Sequence, residues 1–180
     1  GEARSPAPFM AALAELIEGG VIQRDKIRVR IIERFSQHTG RLASGFGLSD
    51  LVKVRVGVPH GEAIQEQINA SVLLLIVGSG TDKIGVYTGK LFEYLAARRP
   101  ILAVAPKEGV AAELVREADA GTVVNPSNRR EIKEAILKYY SEHERTGGVA
   151  YHGRDKVIRR YERPVLAGQL ATVLNSLVTR

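Results

Sequence analysis

Apolar positions recur at helical spacing through residues 8–18, where Phe9, Leu13, Leu16 and Ile17 share a face, and the pattern stops at Gly19 and Gly20. This predicts a helix ended by glycine. Residues 26–33 (KIRVRIIE) are β-branched and mostly apolar, which predicts a strand, with a helix over 34–44 leading to Gly45 and Gly47. Residues 52–56 alternate as VKVRV and stop at Gly57 ahead of a turn at Pro59, giving a second strand. A short amphipathic helix over 60–69 (HGEAIQEQIN) precedes 71–77 (SVLLLIV), an unbroken apolar run. Such a run suits a strand covered on both faces, and so a parallel sheet.

The alternation continues. A glycine-bearing loop over 78–87 leads to a helix over 88–98, a buried strand over 100–105 (PILAVA), a helix over 109–118, a strand over 121–124 and a helix over 127–144. The last stretch, 155–178, reads as two helices broken at Pro164, because proline restricts the residue before it and cannot donate within a helix. Strand and helix in strict turn, with short connections, predict right-handed crossovers. The fold class is α/β: a Rossmann-like, doubly wound parallel sheet with helices on both faces and two C-terminal helices. Only GEARSPA precedes the first helix, whereas this class usually opens with a strand, so either the sheet is short by one strand or the chain is trimmed, and an excised domain is expected.

Length and composition change this picture little. With 180 residues, 44% hydrophobic and 26% charged, one domain spanning 1–180 is expected. No apolar run approaches the ~18 residues of a membrane span, and the start lacks the pattern of a signal peptide, so a soluble, cytoplasmic protein is expected. There is no cysteine, and His38, His60, His143 and His152 show no ligand spacing, which argues against a metal site. The net charge of +6 and the pI of about 9.7 suggest an anionic partner: nucleic acid, a phosphorylated substrate or an acidic membrane surface. The excess lies in Arg129 and Arg130 and in the tail around Arg154, Lys156, Arg159, Arg160 and Arg163, and the competing reading is a solvated face. No aromatic RNA-binding signature, zinc finger or helix-turn-helix accompanies it, so nucleic acid is not expected.

Ligands of open parallel sheets collect beyond the carboxyl ends of the strands, here the loops 57–60, 78–88, 106–109 and 125–127. The second ends in Thr88, Gly89 and Lys90 as a helix begins, setting a hydroxyl, a glycine amide and an ammonium at a positive helix end. That is a seat for a diphosphate. Glu93 lies about one turn further on, where its carboxylate could accept two hydrogen bonds from a ribose diol. The competing reading is a surface ion pair between Lys90 and Glu93, worth a few tenths of a kcal/mol. Two better-known phosphate motifs fail. A P-loop needs four residues between its glycines and Ser or Thr after the lysine, but GVYTGKL has three and Leu91. Gly78, Gly80 and Gly85 have neither the position nor the spacing of a dinucleotide fingerprint.

Several motifs in order, TGKLFEYLAARRPILA (88–103), EGVAAELV (108–115), AGTVVNP (120–126) and RYER (160–163), with RSPAPF near the start and GLSDLVKVRVG in the middle, carry a resemblance. The sequence resembles the C-terminal domain of GT-B retaining glycosyltransferases of the family 4 type, over essentially its whole length. The resemblance implies half of a GT-B fold with a donor site for a nucleoside-diphosphate sugar. Glu93 would hold the ribose hydroxyls, Thr88, Gly89 and Lys90 would lie along the diphosphate, and Gly57 and Val58 would line the base through main-chain groups. Arg4 matches a basic phosphate contact. No cofactor or metal is implied, since basic side chains and helix ends offset the leaving charge. The acceptor would be held by an N-terminal domain outside these residues, so the chain alone should bind donor weakly and transfer poorly; no catalytic residue is assigned. The basic tail adds an anionic membrane surface as a partner class, with the full-length enzyme peripheral to the inner face of the membrane.

The sequence also departs from that family. The position eight before Glu93, where an acid is common, is Gly85, and Glu33 stands where relatives often have glycine. A GT-B-like nucleotide-sugar epimerase and a non-enzymatic flavodoxin-like binding domain are the alternatives. Of the smaller signals, His60 reads as a cap or surface residue, Lys107 and Glu108 as sugar contacts or simply a helix start, and Tyr139 and Tyr140 as packing residues.

Overall fold

In the computed structural model, which describes residues 5–33, 38–78, 85 and 87–178, all five predicted strands form and every strand pairing is parallel. Helix α1 (Ala7–Glu18) opens with proline in its first turn and ends at Gly19 and Gly20, the latter at φ 67°. β1 (Val29–Glu33), α2 (His38–Gly45), β2 (Val52–Val56) and α3 (His60–Ile68) follow, then β3 (Leu73–Ile76), α4 (Gly89–Ala97), β4 (Ile101–Val104), α5 (Val110–Glu117) and β5 (Gly121–Val124). The chain closes with α6 (Arg129–Thr146), α7 (Asp155–Ile158) and α8 (Arg163–Val178).

The hydrogen bonding differs from the single continuous sheet expected. β1 pairs with β2, from Val29↔Val52 to Glu33↔Val56, and β3, β4 and β5 form a separate three-stranded sheet in that order. Among the described residues no strand joins the two, so β1 and β3 each keep an edge without a partner strand. Side chains bridge them instead. One apolar cluster combines Met10 and Leu13 of α1 and Ile132 and Ile136 of α6 with Leu102, Val104 and Val124 of the larger sheet, and Val29, Ile31 and Val54 of the smaller one pack against it.

The other face of the larger sheet carries a second cluster, in which Ile101 and Ala103 meet Leu91 and Leu95 of α4, Leu114 and Val115 of α5, and Val157 and Ile158 of α7. β4, which reads as an unbroken apolar run, is buried on both faces, as alternation of side chains in a central parallel strand requires. The larger sheet is therefore covered by helices on both sides.

Local chemistry sets the helix ends. The Asn128 side chain accepts the Glu131 N–H at the start of α6, and Gly147 ends that helix in the left-handed conformation at φ 76°. The C-terminal break falls one step earlier than predicted. Glu162 is extended (φ −67°, ψ 139°), and Pro164 sits in the first turn of α8, where its missing N–H is no loss, so it starts a helix instead of interrupting one. Tyr139 and Tyr140 pack as expected: the Tyr139 hydroxyl bonds the Thr122 hydroxyl at 2.9 Å, and the Tyr140 oxygen accepts the Gln23 N–H at 3.2 Å. Among the described residues no helix is long and apolar enough to cross a membrane.

Candidate functional site

The loop after β2 turns sharply because Gly57 takes φ 68°, a left-handed conformation that favours glycine, while its N–H donates to the Glu33 carbonyl at 3.0 Å. Gly57 is exposed and Val58 half-buried at the carboxyl end of β2. Pro59 is the cap of α3, so His60 is an exposed first-turn residue.

At the start of α4, Thr88 is the extended N-cap residue (φ −93°, ψ 140°), yet its hydroxyl bonds nothing in the helix it caps. A threonine in this position ordinarily accepts a first-turn N–H. Here Thr88 is only 8% exposed, and its Oγ1 is buried without a hydrogen-bond partner among the described residues. Leaving such a group unpaired costs about 1–3 kcal/mol. The Leu91 N–H turns back to the Thr88 carbonyl at 2.9 Å, whereas the amides of Gly89 and Lys90 have no acceptor within the helix. Gly89 and Lys90 are both exposed. The buried hydroxyl of Thr88 and the exposed Gly89 and Lys90 thus stand together in the first turn of α4, at the positive end of the helix.

Glu93, half-buried one turn below, faces α3 and not Lys90: its Oε2 accepts the Gln67 amide at 3.1 Å, which removes the simple surface ion pair as its role. Gln67 Oε1 is itself buried without a partner among the described residues, so this pair holds an unspent acceptor beside the carboxylate. At the carboxyl end of β1, Glu33 Oε1 accepts the hydroxyl of buried Thr39 from α2, and its Oε2 is likewise orphaned. Orphaned polar atoms therefore lie at the end of β1, on α3 and at the start of α4. Arg4 lies outside the described residues, as does most of the 78–87 loop; Gly85 is an exposed turn position.

The 106–109 loop is committed elsewhere. Lys107 Nζ pairs with Glu131 Oε1 at 2.7 Å, and Glu131 also accepts the Asn125 N–H and the Asn128 amide, so Lys107 serves the start of α6. Glu108 is exposed just before Gly109, the cap of α5. Much of the basic excess is matched on the protein's own surface, with Arg129 on Glu15, Arg130 on Glu134 and Arg160 on Glu117. A cavity of about 300 Å³ lies between Ala7, Pro8, Phe46 and the 126–127 turn, apart from the α4 start.

These pairs make stability pH-dependent. The Lys107 ammonium, with the Asn125 N–H, holds the Glu131 carboxyl below its ordinary 4.5; Lys133 and Arg129 lower Glu15, and Arg24 lowers Asp50. A carboxyl lowered by folding stabilises the protein above its unfolded value, and that contribution is lost as pH falls through the folded one. The melting temperature should be steady near neutrality and fall below about pH 4.5, and Glu131→Gln should melt lower than wild type at pH 7 but converge with it near pH 3. Parallel melting curves at every pH would remove Glu131 from this account.

Sequence reasoning passed over Tyr87, the exposed aromatic directly before Thr88, whose only signal was an apolar ring at the edge of a polar helix start. It also passed over Gln67 and Thr39, whose partners are distant in sequence or at a strand end. No protein-family model matches this sequence, and no curated protein matches it either.

Proposed function

We propose that this chain is the donor-binding half of a glycosyltransferase of the GT-B class, holding a nucleoside-diphosphate sugar at the start of α4 for transfer to an acceptor bound by an N-terminal domain outside these residues. The observation that carries the reading is the buried, unpartnered Thr88 hydroxyl at a helix start, with the half-buried Glu93 carboxylate one turn below it. Diphosphate oxygens would take the Thr88 hydroxyl and the Gly89 and Lys90 amides, with the Lys90 ammonium adding charge. Glu93 would exchange its Gln67 partner for the ribose hydroxyls, and Gly57 and Val58 would meet the base through their main chain. The parallel strands support this placement, because ligands of such sheets collect at the carboxyl ends. The diphosphate leaves as an anion, which the helix end and Lys90 stabilise without a metal.

Calorimetric titration of the chain with UDP, GDP and ADP tests the reading. One of them is expected to bind, and Glu93→Ala should weaken it at least tenfold, about 1.4 kcal/mol. Thr88→Val, which removes the orphaned hydroxyl and keeps the shape, should weaken binding while leaving the melting temperature unchanged or higher. A folded wild type that binds none of the three would remove the donor reading and favour a non-enzymatic binding domain.

A further inference from the structure

The ring of Tyr87 stands beside the start of α4 and is braced from behind. Its centroid lies 5.6 Å from Phe92 and 6.3 Å from Tyr161, and those two lie 5.5 Å apart, all at tilted angles. Phe92 belongs to α4 and Tyr161 to the turn between α7 and α8. Contact between Phe92 and Tyr161 alone would pin the root of α8 to α4. Tyr87 is an additional outer ring that remains 43% exposed. An exposed ring already held by two others has little rotamer freedom left to lose, the condition under which an aromatic surface binds most economically.

Its direction follows from the helix. Phe92 and Glu93 are consecutive on α4, so they point about 100° apart. Glu93 meets Gln67 of α3, whereas Phe92 carries Tyr87 and Tyr161 on the other side. Burial, Tyr161 and the carboxylates of Glu113 and Glu117 on α5 raise the Tyr87 hydroxyl above its ordinary value. With its diphosphate on the α4 start and its ribose at Glu93, a ligand would extend its far end from the α3 side toward the flank of α4 that carries Tyr87.

This step rests on the donor reading above. We propose that Tyr87 is the platform on which the pyranose ring of the donor lies, its exposed face taking the apolar C–H face of the sugar and so selecting the sugar conjugate over the bare diphosphate. The ring offers area and polarisable surface without charge, which suits a neutral hexose and gives no advantage to a nucleoside diphosphate alone.

The test titrates wild type, Tyr87→Ala, Tyr87→Leu and Tyr87→Phe with the nucleoside diphosphate that wild type binds and with its hexose conjugate, with melting curves to establish folding. Tyr87→Leu keeps apolar bulk against Phe92 and Tyr161 without an aromatic face. Expected are losses of about tenfold for the conjugate in Tyr87→Ala and Tyr87→Leu, unchanged diphosphate binding, and near-wild-type behaviour of Tyr87→Phe. Equal losses for both ligands, no loss for the conjugate, or a wild type that binds both ligands equally would overturn the platform while leaving the donor reading intact. A wild type that binds neither would overturn the donor reading and the platform with it.

Discussion

Gly121→Ala is expected to lower the melting temperature by roughly 6–12 °C, from a loss of about 3 kcal/mol in a chain of this size. Gly121 opens β5 and is paired with Ile101 of β4. A Cβ there would fall on the Ile101 carbonyl oxygen and come within 2.6 Å of the Ile101 nitrogen and 2.7 Å of its carbonyl carbon. These are backbone atoms, so no side chain can swing aside. Moving β4 instead would strain the Ile101 N–H bond to the Ala120 carbonyl (2.9 Å) and the bond from the Tyr139 hydroxyl to the Ile101 carbonyl (3.3 Å), in a strand whose side chains fill both apolar clusters. Overpacking that a core absorbs by repacking costs about 1–3 kcal/mol, and a clash with immovable backbone belongs at the upper end. Because β3 and α4 rest on the same sheet, the variant should also bind nucleoside diphosphate more weakly at 37 °C. A melting temperature within about 2 °C of wild type would mean that β5 tolerates displacement and that this close approach is not what fixes its register.

The strands were legible because they are short apolar or β-branched runs, several of them closed by glycine or proline, as in VKVRV before Gly57 and PILAVA before Pro106. The start of α4 was legible for a similar reason: Thr-Gly-Lys after a glycine-bearing loop is a local signal, and its chemistry follows from the geometry of any helix end. Local signals also misplace things slightly. Pro164 marks a boundary from either side, and only the extended Glu162 before it decides that it begins α8. What remained hidden depends on partners distant in the chain. Strand period does not say which strands share hydrogen bonds, so the division into β1–β2 and β3–β4–β5 could not be read from it. Glu93 was placed correctly on α4, but its choice of Gln67, 26 residues away, follows from how α3 packs on α4. The setting of Tyr87 depends on Tyr161, 74 residues further along the chain, whose ring lies 6.3 Å from it.

Because no strand pairing joins the two sheets among the described residues, their cohesion rests on the apolar cluster that α1 and α6 place across them, and Leu13→Ala should reveal it. Leu13 is fully buried in the cluster that spans both sheets. Alanine keeps the helix, having the highest helix propensity, so the loss is one of packing: about 2–5 kcal/mol, set by how far the cavity can collapse. The loss should not be shared evenly. β4 stays hydrogen-bonded on both edges and packed on its other face by α4 and α5, whereas β1–β2 is a two-stranded ribbon that is marginal without apolar cover. Hydrogen exchange in Leu13→Ala is therefore expected to accelerate first at β1–β2 amides such as Val29, which donates to the Leu51 carbonyl, while β4 amides such as Ile101, which donates to the Ala120 carbonyl, remain protected. If the two sets lose protection together, the sheets open as one cooperative unit and the cluster beneath α1 is more rigid than its hydrogen bonding implies. Gly57 and Val58 follow β2 of the smaller sheet and the α4 start follows β3 of the larger one, so selective opening would also separate the proposed base and diphosphate contacts. Nucleoside-diphosphate affinity in Leu13→Ala should then fall more steeply with temperature than in wild type, in step with the loss of protection at Val29.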